Sequence, residues 1–420
     1  MKTTTLFFVL VLLSSVLHGQ AFVANYDESK MPAYTLPDPL IFNNGQPVKN
    51  KQEWKSRRAE LIKIFENEVY GKTPAGKVQV SSALLSEDAG ALGGKAVRRE
   101  IQLRLIKDGE EVLINVLLFL PKLKERVPLF LGYNFNGNHT ISNDKDIEIT
   151  KSWVRNNVAS GITVNQSIES QRGSDLSSWP VSEIIGRGYG VATLYYGDVD
   201  PDFDDGFQNG INRLFHEKRD ASSWGSIAGW AWGLSRVMDY LEKVKEVDPK
   251  QVIVLGHSRL GKAALWAGVK DQRFAIVVSN ESGCGGAALS KRIYGETVGR
   301  INNSFPHWFC ENFRKYNNKE EELPVDQHEL LALIAPRPLY VCSAVEDQWS
   351  DPKGEFLSCV AASPVYRLLG TEGFPGKDFP ELQQPILGTI GYHIRSGKHA
   401  LKLYDWSCFM NFADEHFKKR

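Results

Sequence analysis

A serine between a predicted strand and a predicted helix is the strongest chemical signal in the sequence. The stretch is Val252-Ile253-Val254-Leu255-Gly256-His257-Ser258-Arg259-Leu260-Gly261-Lys262. A buried strand that runs through a tight turn into a helix is the arrangement of a nucleophile elbow. The turn would raise the Ser258 hydroxyl above the carboxyl edge of the sheet, beside the free N–H groups of the helix N-terminus. The alternative is a simple helix N-cap, because Leu260 stands where the general elbow pattern has a small residue.

A histidine must reach the serine hydroxyl if Ser258 is a nucleophile. Hydrolases with this elbow place nucleophile, acid and histidine in that order along the chain. Four histidines follow Ser258 before the closing helix: His307, His328, His393 and His399. His399 lies in a glycine-containing loop just after the last predicted strand, so it is the candidate base. We expect His257 to point the opposite way from Ser258 and to be structural.

Two carboxylates follow predicted strands and could orient the imidazole. Glu281 comes after the strand at 274–278, and Asp347 comes after the strand at 338–345. Either could hold the histidine and stabilise its protonated form. The alternative for each is a solvated loop carboxylate.

These residues require a frame of alternating strands and helices. Strand-like runs are predicted at 78–85, 96–105, 111–120, 128–133, 189–196, 251–255, 274–278, 338–345 and 387–394. Helical patterns are predicted at 51–70, 224–245, 261–269 and 404–417. Such alternation predicts a mostly parallel sheet covered by helices on both faces. We expect one catalytic domain over 96–420 and an N-terminal extension over 22–95 that packs on it.

Composition excludes several classes of protein. The 420 residues include 50 basic and 50 acidic ones, so the formal net charge is zero and no basic nucleic-acid binder is indicated. The apolar fraction of 42% is that of a globular chain rather than a disordered one. Ten Trp, 21 Phe and 14 Tyr require a large interior or an aromatic-lined site.

The first 21 residues predict export. Lys2 precedes the mostly apolar run 6–17, and Gly19 and Ala21 offer small residues for cleavage after Ala21. This is the pattern of a secretory signal peptide; the alternative is a buried N-terminal helix. We therefore expect a secreted or periplasmic protein with no membrane attachment after cleavage. Export permits one or two disulfides among Cys284, Cys310, Cys342, Cys359 and Cys408, with at least one thiol left over.

The chain resembles the glucuronoyl esterases, carbohydrate esterase family 15. The family's serine motif, glycine-x-serine-arginine-x-glycine-lysine, is met by Gly256, Ser258, Arg259, Gly261 and Lys262, and the family tolerates a larger residue at position 260. The stretch Trp224-Gly225-Ser226-Ile227-Ala228-Gly229-Trp230-Ala231-Trp232-Gly233 resembles the helix before the family's nucleophile. The resemblance spans roughly residues 100 to 415.

The resemblance implies an α/β-hydrolase fold, a three-layer sandwich with a mostly parallel central sheet. It implies a Ser258 nucleophile and a His399 base, with Glu281 at the acid position of fungal members and Asp347 at that of bacterial members. It matches Lys262, Glu296 and Trp349 to substrate-binding residues. His257 and Ala400 replace a disulfide that flanks the active site of fungal members, which leaves the site less tightly clamped.

The chemistry of the residues agrees with an ester between glucuronic acid of glucuronoxylan and a lignin alcohol. The backbone N–H and the guanidinium of Arg259 could stabilise the oxyanion. Lys262 lies four residues after Ser258, on the same helix face, and could donate to sugar hydroxyls while Glu296 accepts from them. Trp349 offers a flat apolar wall to a pyranose.

Two other functions stay open. An acetylxylan esterase, or another carbohydrate esterase of the same fold, would have no uronic acid for Lys262, Glu296 and Trp349 to hold. A non-catalytic polysaccharide-binding relative would carry a vestigial triad. We expect a monomer that requires no metal and no cofactor.

Overall fold

The computed structural model describes residues 22–418. Within these residues the structure contains nine strands: β1 (Gln79–Asp88), β2 (Ala96–Lys107), β3 (Glu110–Pro121), β4 (Val127–Asn134), β5 (Gly190–Tyr195), β6 (Val247–His257), β7 (Ile276–Asn280), β8 (Leu339–Ala344) and β9 (Ile390–Arg395). Its helices are α1 (Lys51–Glu68), α2 (Ala91–Gly94), α3 (Val181–Gly186), α4 (Tyr196–Val199), α5 (Ser226–Leu241), α6 (Arg259–Lys270), α7 (Val298–Ser304), α8 (Gln327–Ala332), α9 (Pro352–Leu368) and α10 (Leu403–Lys418).

The nine strands form one mixed sheet in the order β1-β2-β3-β5-β4-β6-β7-β8-β9. The pairs β1–β2, β2–β3 and β3–β5 are antiparallel, and all pairs from β5 through β4 to β9 are parallel. Parallel strands end at one edge of the sheet, so the loops after β6, β7, β8 and β9 meet there. Those four loops carry Ser258, Glu281, Asp347 and His399.

Helices cover both faces of the sheet, which gives the three-layer α/β-hydrolase sandwich that the resemblance implied. One core contains Trp230 of α5 and Trp266 of α6. The other contains Ile184 of α3 and Trp406 of α10. Every residue of β7, β8 and β9 is buried, as expected of parallel strands covered on both faces.

All nine predicted strands and all four predicted helices are confirmed, with ends that differ by a few residues. The sequence interpretation missed α9, a 17-residue helix with Pro364 inside it. Its first turn begins with Pro352 and its N-cap is Asp351, whose side chain accepts from the Gly354 N–H.

The N-terminal extension contacts the rest of the molecule through α1 and β1. The Arg58 side chain donates to the carbonyl of Val269 at 2.7 Å, and Arg57 pairs with Glu329 at 3.3 Å. Residue 95 falls between β1 and β2, which pair in the same sheet. The division into an extension over 22–95 and a catalytic domain over 96–420 stays a prediction.

No disulfide forms among the five cysteines, all of which lie in the described part of the chain. Each is buried and carries a free thiol. The predicted signal peptide at 1–21 lies outside the described residues. Within 22–418, no helix combines the length and the apolar character that a membrane crossing demands.

Candidate active site

Ser258 lies in a strained turn between β6 and α6. Its backbone has φ 58° and ψ −131°, a region that residues other than glycine rarely adopt. The turn is held by its backbone: the Ser258 N–H donates to the Asn280 carbonyl at 2.9 Å, and the Ser258 carbonyl accepts from the Gly261 N–H at 2.8 Å. Among the described residues, no group hydrogen-bonds the Ser258 hydroxyl.

Glycine at position 256 is what lets the turn close. A Cβ at Gly256 would lie 2.0 Å from the carbonyl oxygen of Leu260, a contact with rigid backbone. The strand end and the first turn of α6 therefore touch backbone to backbone, as a nucleophile elbow requires.

His399 lies in the loop after β9 and contacts both candidate acids. Its Nδ1 lies 2.6 Å from Oδ2 of Asp347 and 3.2 Å from Oε2 of Glu281. Because Nδ1 faces carboxylates, Nε2 is the nitrogen left to exchange a proton with a hydroxyl. The imidazole is about two-fifths exposed (39%), so a substrate can reach it.

The two acids differ in what else they bind. Asp347 accepts a hydrogen bond from the Ser350 hydroxyl at 2.6 Å. Glu281 pairs with the Arg395 guanidinium and accepts from the Ala400 N–H at 3.0 Å. Asp347 therefore makes the closer contact with the imidazole, while the charge of Glu281 is shared with a buried arginine.

Burial and mutual contacts shift the pKa of all three groups. Burial raises the pKa of Glu281 to about 7, although His399 and Arg395 oppose that shift. Burial also acts on Asp347, but hydrogen bonds from His399 and Ser350 outweigh it and hold its pKa below the ordinary value. For His399, burial would lower the pKa, but Asp347 and Glu281 stabilise the imidazolium and raise it to about 9.

One cavity of about 360 Å³ brings all the predicted site residues together. Its wall includes Ser258, Arg259, Lys262, Glu281, Glu296, Asp347, Trp349 and His399. Phe305 and Trp308 complete its aromatic side. The serine hydroxyl and the imidazole thus face the same space, with no hydrogen bond between them.

Arg259 is held by a buried carboxylate that the sequence interpretation missed. Its guanidinium pairs with Asp202 and lies 4.7 Å from the ring centre of Trp308. Asp202 also accepts from His307 Nε2 at 2.9 Å and from Trp308 Nε1 at 2.8 Å. Burial would raise the pKa of Asp202, but the hydrogen bond to His307 and the charge of Arg259 lower it well below its usual range.

Nothing in the sequence distinguishes Asp202 from its neighbours. The segment Asp198-Val199-Asp200-Pro201-Asp202-Phe203-Asp204-Asp205 contains five aspartates in eight positions. Only the fold shows that Asp202 faces Arg259, the residue that follows Ser258. Trp308 lies in an irregular segment with no periodic pattern.

Lys262, Glu296 and Trp349 line the same cavity as Ser258 and His399. Lys262 is buried and donates to the Ser282 carbonyl. Burial lowers the pKa of its ammonium group, and the charge of Glu296 offsets only part of that shift. Burial raises the pKa of Glu296, opposed by Lys262. The Glu296 N–H donates to the Trp349 carbonyl at 3.0 Å, so the acid and the aromatic wall are joined.

His257 does not line the Ser258 cavity, although its ring lies 4.4 Å, centre to centre, from the ring of His399. Nδ1 of His257 contacts Oδ1 of Asn280 at 2.5 Å, and burial, helped by His399, lowers its pKa to about 3. His257 is therefore a neutral ring packed on His399, and the expectation that it is structural stays a prediction.

Two groups of side chains place possible metal donors within 4.8 Å of one another. They are His257, Glu281 and His399, and Cys342, His393 and Asp405. Arg395 pairs with both Glu281 and Asp405, so a cation in either place would compete with a guanidinium.

A second cavity, of about 240 Å³, adjoins the two histidines. It is lined by His257 and His399 but not by Ser258, and its wall includes Tyr133, Phe135 and Trp179. The imidazole of His399 thus borders both the cavity at Ser258 and this second cavity.

Similarity to known proteins agrees with this geometry. A family model described as glucuronyl esterase, fungi, matches residues 177–370. A carbohydrate esterase from an unknown prokaryotic organism is 47% identical over 99% of both chains. The chain belongs to the glucuronoyl esterases of carbohydrate esterase family 15.

Solved structures give the same result for the fold of this esterase. A family 15 esterase from a marine bacterial metagenome superposes with a TM-score of 0.89 at 49% identity, covering 94% of this chain and all of that one. The glucuronoyl esterase from Solibacter usitatus superposes with a TM-score of 0.86 at 46% identity, covering 92% and 99%. The protein is therefore a carboxylic ester hydrolase with the α/β-hydrolase fold.

Proposed function

We propose that this esterase cleaves the ester between a glucuronic acid carboxyl of glucuronoxylan and a lignin-type alcohol. The observation that carries the proposal is the single cavity in which a serine, a histidine and two acids face Arg259, Lys262 and Glu296. Cationic and hydroxyl-binding groups suit a uronic acid, whereas a small acetyl group has no hydroxyl or carboxylate to offer them.

Ser258, His399 and the acids act as a triad in this proposal. The Ser258 hydroxyl passes its proton to Nε2 of His399 as its oxygen attacks the ester carbonyl. Asp347, supported by Glu281, stabilises the imidazolium that forms. The first N–H groups of α6 have no intrahelical partner, so the Arg259 N–H can donate to the oxyanion beside the guanidinium.

Collapse of the oxyanion releases the alcohol, which takes the proton from His399. Water then attacks the acyl-enzyme with the same imidazole as base, which frees the uronic acid and restores Ser258. The alcohol must leave next to His399, which also borders the aromatic cavity of Tyr133, Phe135 and Trp179. An aromatic alcohol can be accommodated there by ring contacts.

Relatives support this substrate class. A protein from Schizophyllum commune, 27% identical over 83% of this chain, is named 4-O-methyl-glucuronoyl methylesterase. The esterase at 49% identity is described as promiscuous, which favours activity on other carbohydrate esters, including acetylxylan, as the second candidate. Action outside the cytoplasm, export by residues 1–21 and a monomeric state belong to the same proposal.

The test is a rate comparison on benzyl glucuronate, benzyl galacturonate and an acetyl ester with one purified preparation. We expect the highest kcat/KM on the glucuronate ester, and no hydrolysis above background by Ser258→Ala. Hydrolysis of acetyl esters with no activity on glucuronate would replace the proposal with the second candidate.

A further inference from the structure

Two exposed aromatic side chains meet at the Ser258 cavity: Trp349 lies in its wall, and Phe22 contacts Trp349. Phe22 is 39% exposed and Trp349 is 36% exposed. The two rings contact edge to face, with ring centres 6.1 Å apart and planes at 86°. The Arg300 guanidinium lies over the Phe22 ring, 5.6 Å from its centre.

The N-terminal arm at 22–30 is fixed to this place by backbone and ionic contacts. The Gly295 N–H donates to the Asn25 carbonyl at 2.9 Å, and the Asn25 side chain donates to the Ile293 carbonyl at 3.3 Å. Glu28 pairs with the buried Arg292, and Lys353 lies 3.2 Å from the same carboxylate. An arm held this way can present Phe22 in a defined position.

The arm is continuous with the proposed substrate residues. Gly295, which binds Asn25, precedes Glu296, whose N–H donates to the Trp349 carbonyl. A Cβ at Gly295 would lie 2.5 Å from that carbonyl oxygen, and its φ of +63° also favours glycine. The chain at 295 therefore touches the arm on one side and Trp349 on the other.

We propose that Phe22 and Trp349 form an aromatic platform that binds a sugar unit of the polysaccharide next to the uronic acid. This rests on the proposed function and extends it from the uronic acid to the chain that carries it. Aromatic faces pack against the apolar C–H faces of a pyranose, and Arg300 supplies hydrogen-bond donors for hydroxyls at the rim. Trp349 belongs to both the cavity wall and the platform, so one oligosaccharide can occupy both.

The platform predicts a difference between small and extended substrates. The variant Phe22→Ala should lower kcat/KM about three- to tenfold on a benzyl ester of glucuronoxylotriose and leave benzyl glucuronate unchanged. Trp349→Ala should lower kcat/KM on both substrates, because Trp349 also lines the cavity. Leu84→Ala, at a 59% exposed position on β1, is the matched surface control. The affinity tag should be placed at the C-terminus, so that it does not displace the arm.

A binding measurement separates this proposal from the proposed function. In a Ser258→Ala background, calorimetry with glucuronoxylotriose should show a Kd about three- to tenfold higher when Phe22→Ala is added. The Kd for free glucuronic acid should not change. An equal rise in Kd for both ligands, or no rise for either, would overturn the platform proposal. If the wild type hydrolysed no glucuronate ester, the proposed function would fail, while this binding result would still decide the platform.

Discussion

At the residue scale, the unusual feature is an imidazole shared by two carboxylates. Asp347 is closer to His399 Nδ1, at 2.6 Å against 3.2 Å for Glu281. Glu281 is also neutralised in part by Arg395. We infer that Asp347 is the main triad acid and that Glu281 supports it.

Replacement of Asp347 should therefore lower the esterase activity more than replacement of Glu281. We expect Asp347→Asn to lower kcat on benzyl glucuronate by roughly a hundredfold, which is a smaller fall than in a triad that has no second acid. Glu281→Gln should lower kcat less than Asp347→Asn does. Steady-state kinetics on folded variants measures both, and a larger loss for Glu281→Gln would reverse the assignment.

The same contacts predict a shift in the pH profile. Catalysis requires neutral His399, and two carboxylates raise its pKa to about 9, so kcat/KM should rise with pH up to that region. Glu281→Gln removes one negative charge that favours the imidazolium, which lowers the pKa of His399. The rise should then occur at lower pH in the variant, after subtraction of spontaneous hydrolysis. An unmoved midpoint would show that Glu281 does not act on His399.

Asp202 is predicted to act through Arg259. Asp202→Asn weakens the hold on a guanidinium beside the oxyanion, so kcat should fall roughly tenfold to a hundredfold with little change in KM. The matched control is Asp200→Asn, because burial raises the pKa of Asp200 to about 7 and it contacts Asn212 rather than Arg259. Equal losses in both variants would mean a general effect on folding.

At the element scale, the turn between β6 and α6 depends on Gly256. Gly256→Ala would place a methyl group 2.0 Å from the Leu260 carbonyl, so we expect a marked fall in Tm and loss of esterase activity. Gly186→Ala, where a Cβ would meet nothing within 4 Å, should change neither. Calorimetric melting of the two variants checks this, and a tolerated Gly256→Ala would contradict the close approach.

The elements were more predictable than their contacts. Strand β8 is mostly apolar and β6 leads into a recognisable turn, so their type and order could be predicted from composition and periodicity. Helix α9 was missed because its sequence holds Pro364 and follows an irregular acidic loop, which hides the helical pattern. Tertiary packing, which is not visible in local pattern, decides such a segment.

The residues of the candidate site could likewise be predicted from the sequence only in part. Ser258 and His399 could be found because each follows a predicted strand, and chain order then limits the candidates. Asp202 and Trp308 could not be found, because they reach Arg259 from irregular segments.

At the scale of the whole molecule, the fold joins groups that are distant along the chain. The parallel strands β6, β7, β8 and β9 lie side by side, so their carboxyl ends bring Ser258, Glu281, Asp347 and His399 to one edge. The N-terminal arm then reaches the same edge from the other end of the chain. The proposed catalytic residues and the proposed polysaccharide-binding residues thus both depend on one sheet.

The central claim is that Ser258 and His399 work as a unit on a uronate ester. A double-mutant cycle tests it directly, with kcat on benzyl glucuronate measured for Ser258→Ala, His399→Ala and the double variant. Residues that act in one step are non-additive, so each single change should cost on the order of 10⁴-fold or more and the double variant no more than either. Independent losses that multiply in the double variant, or a single variant that keeps most of its activity, would contradict the account.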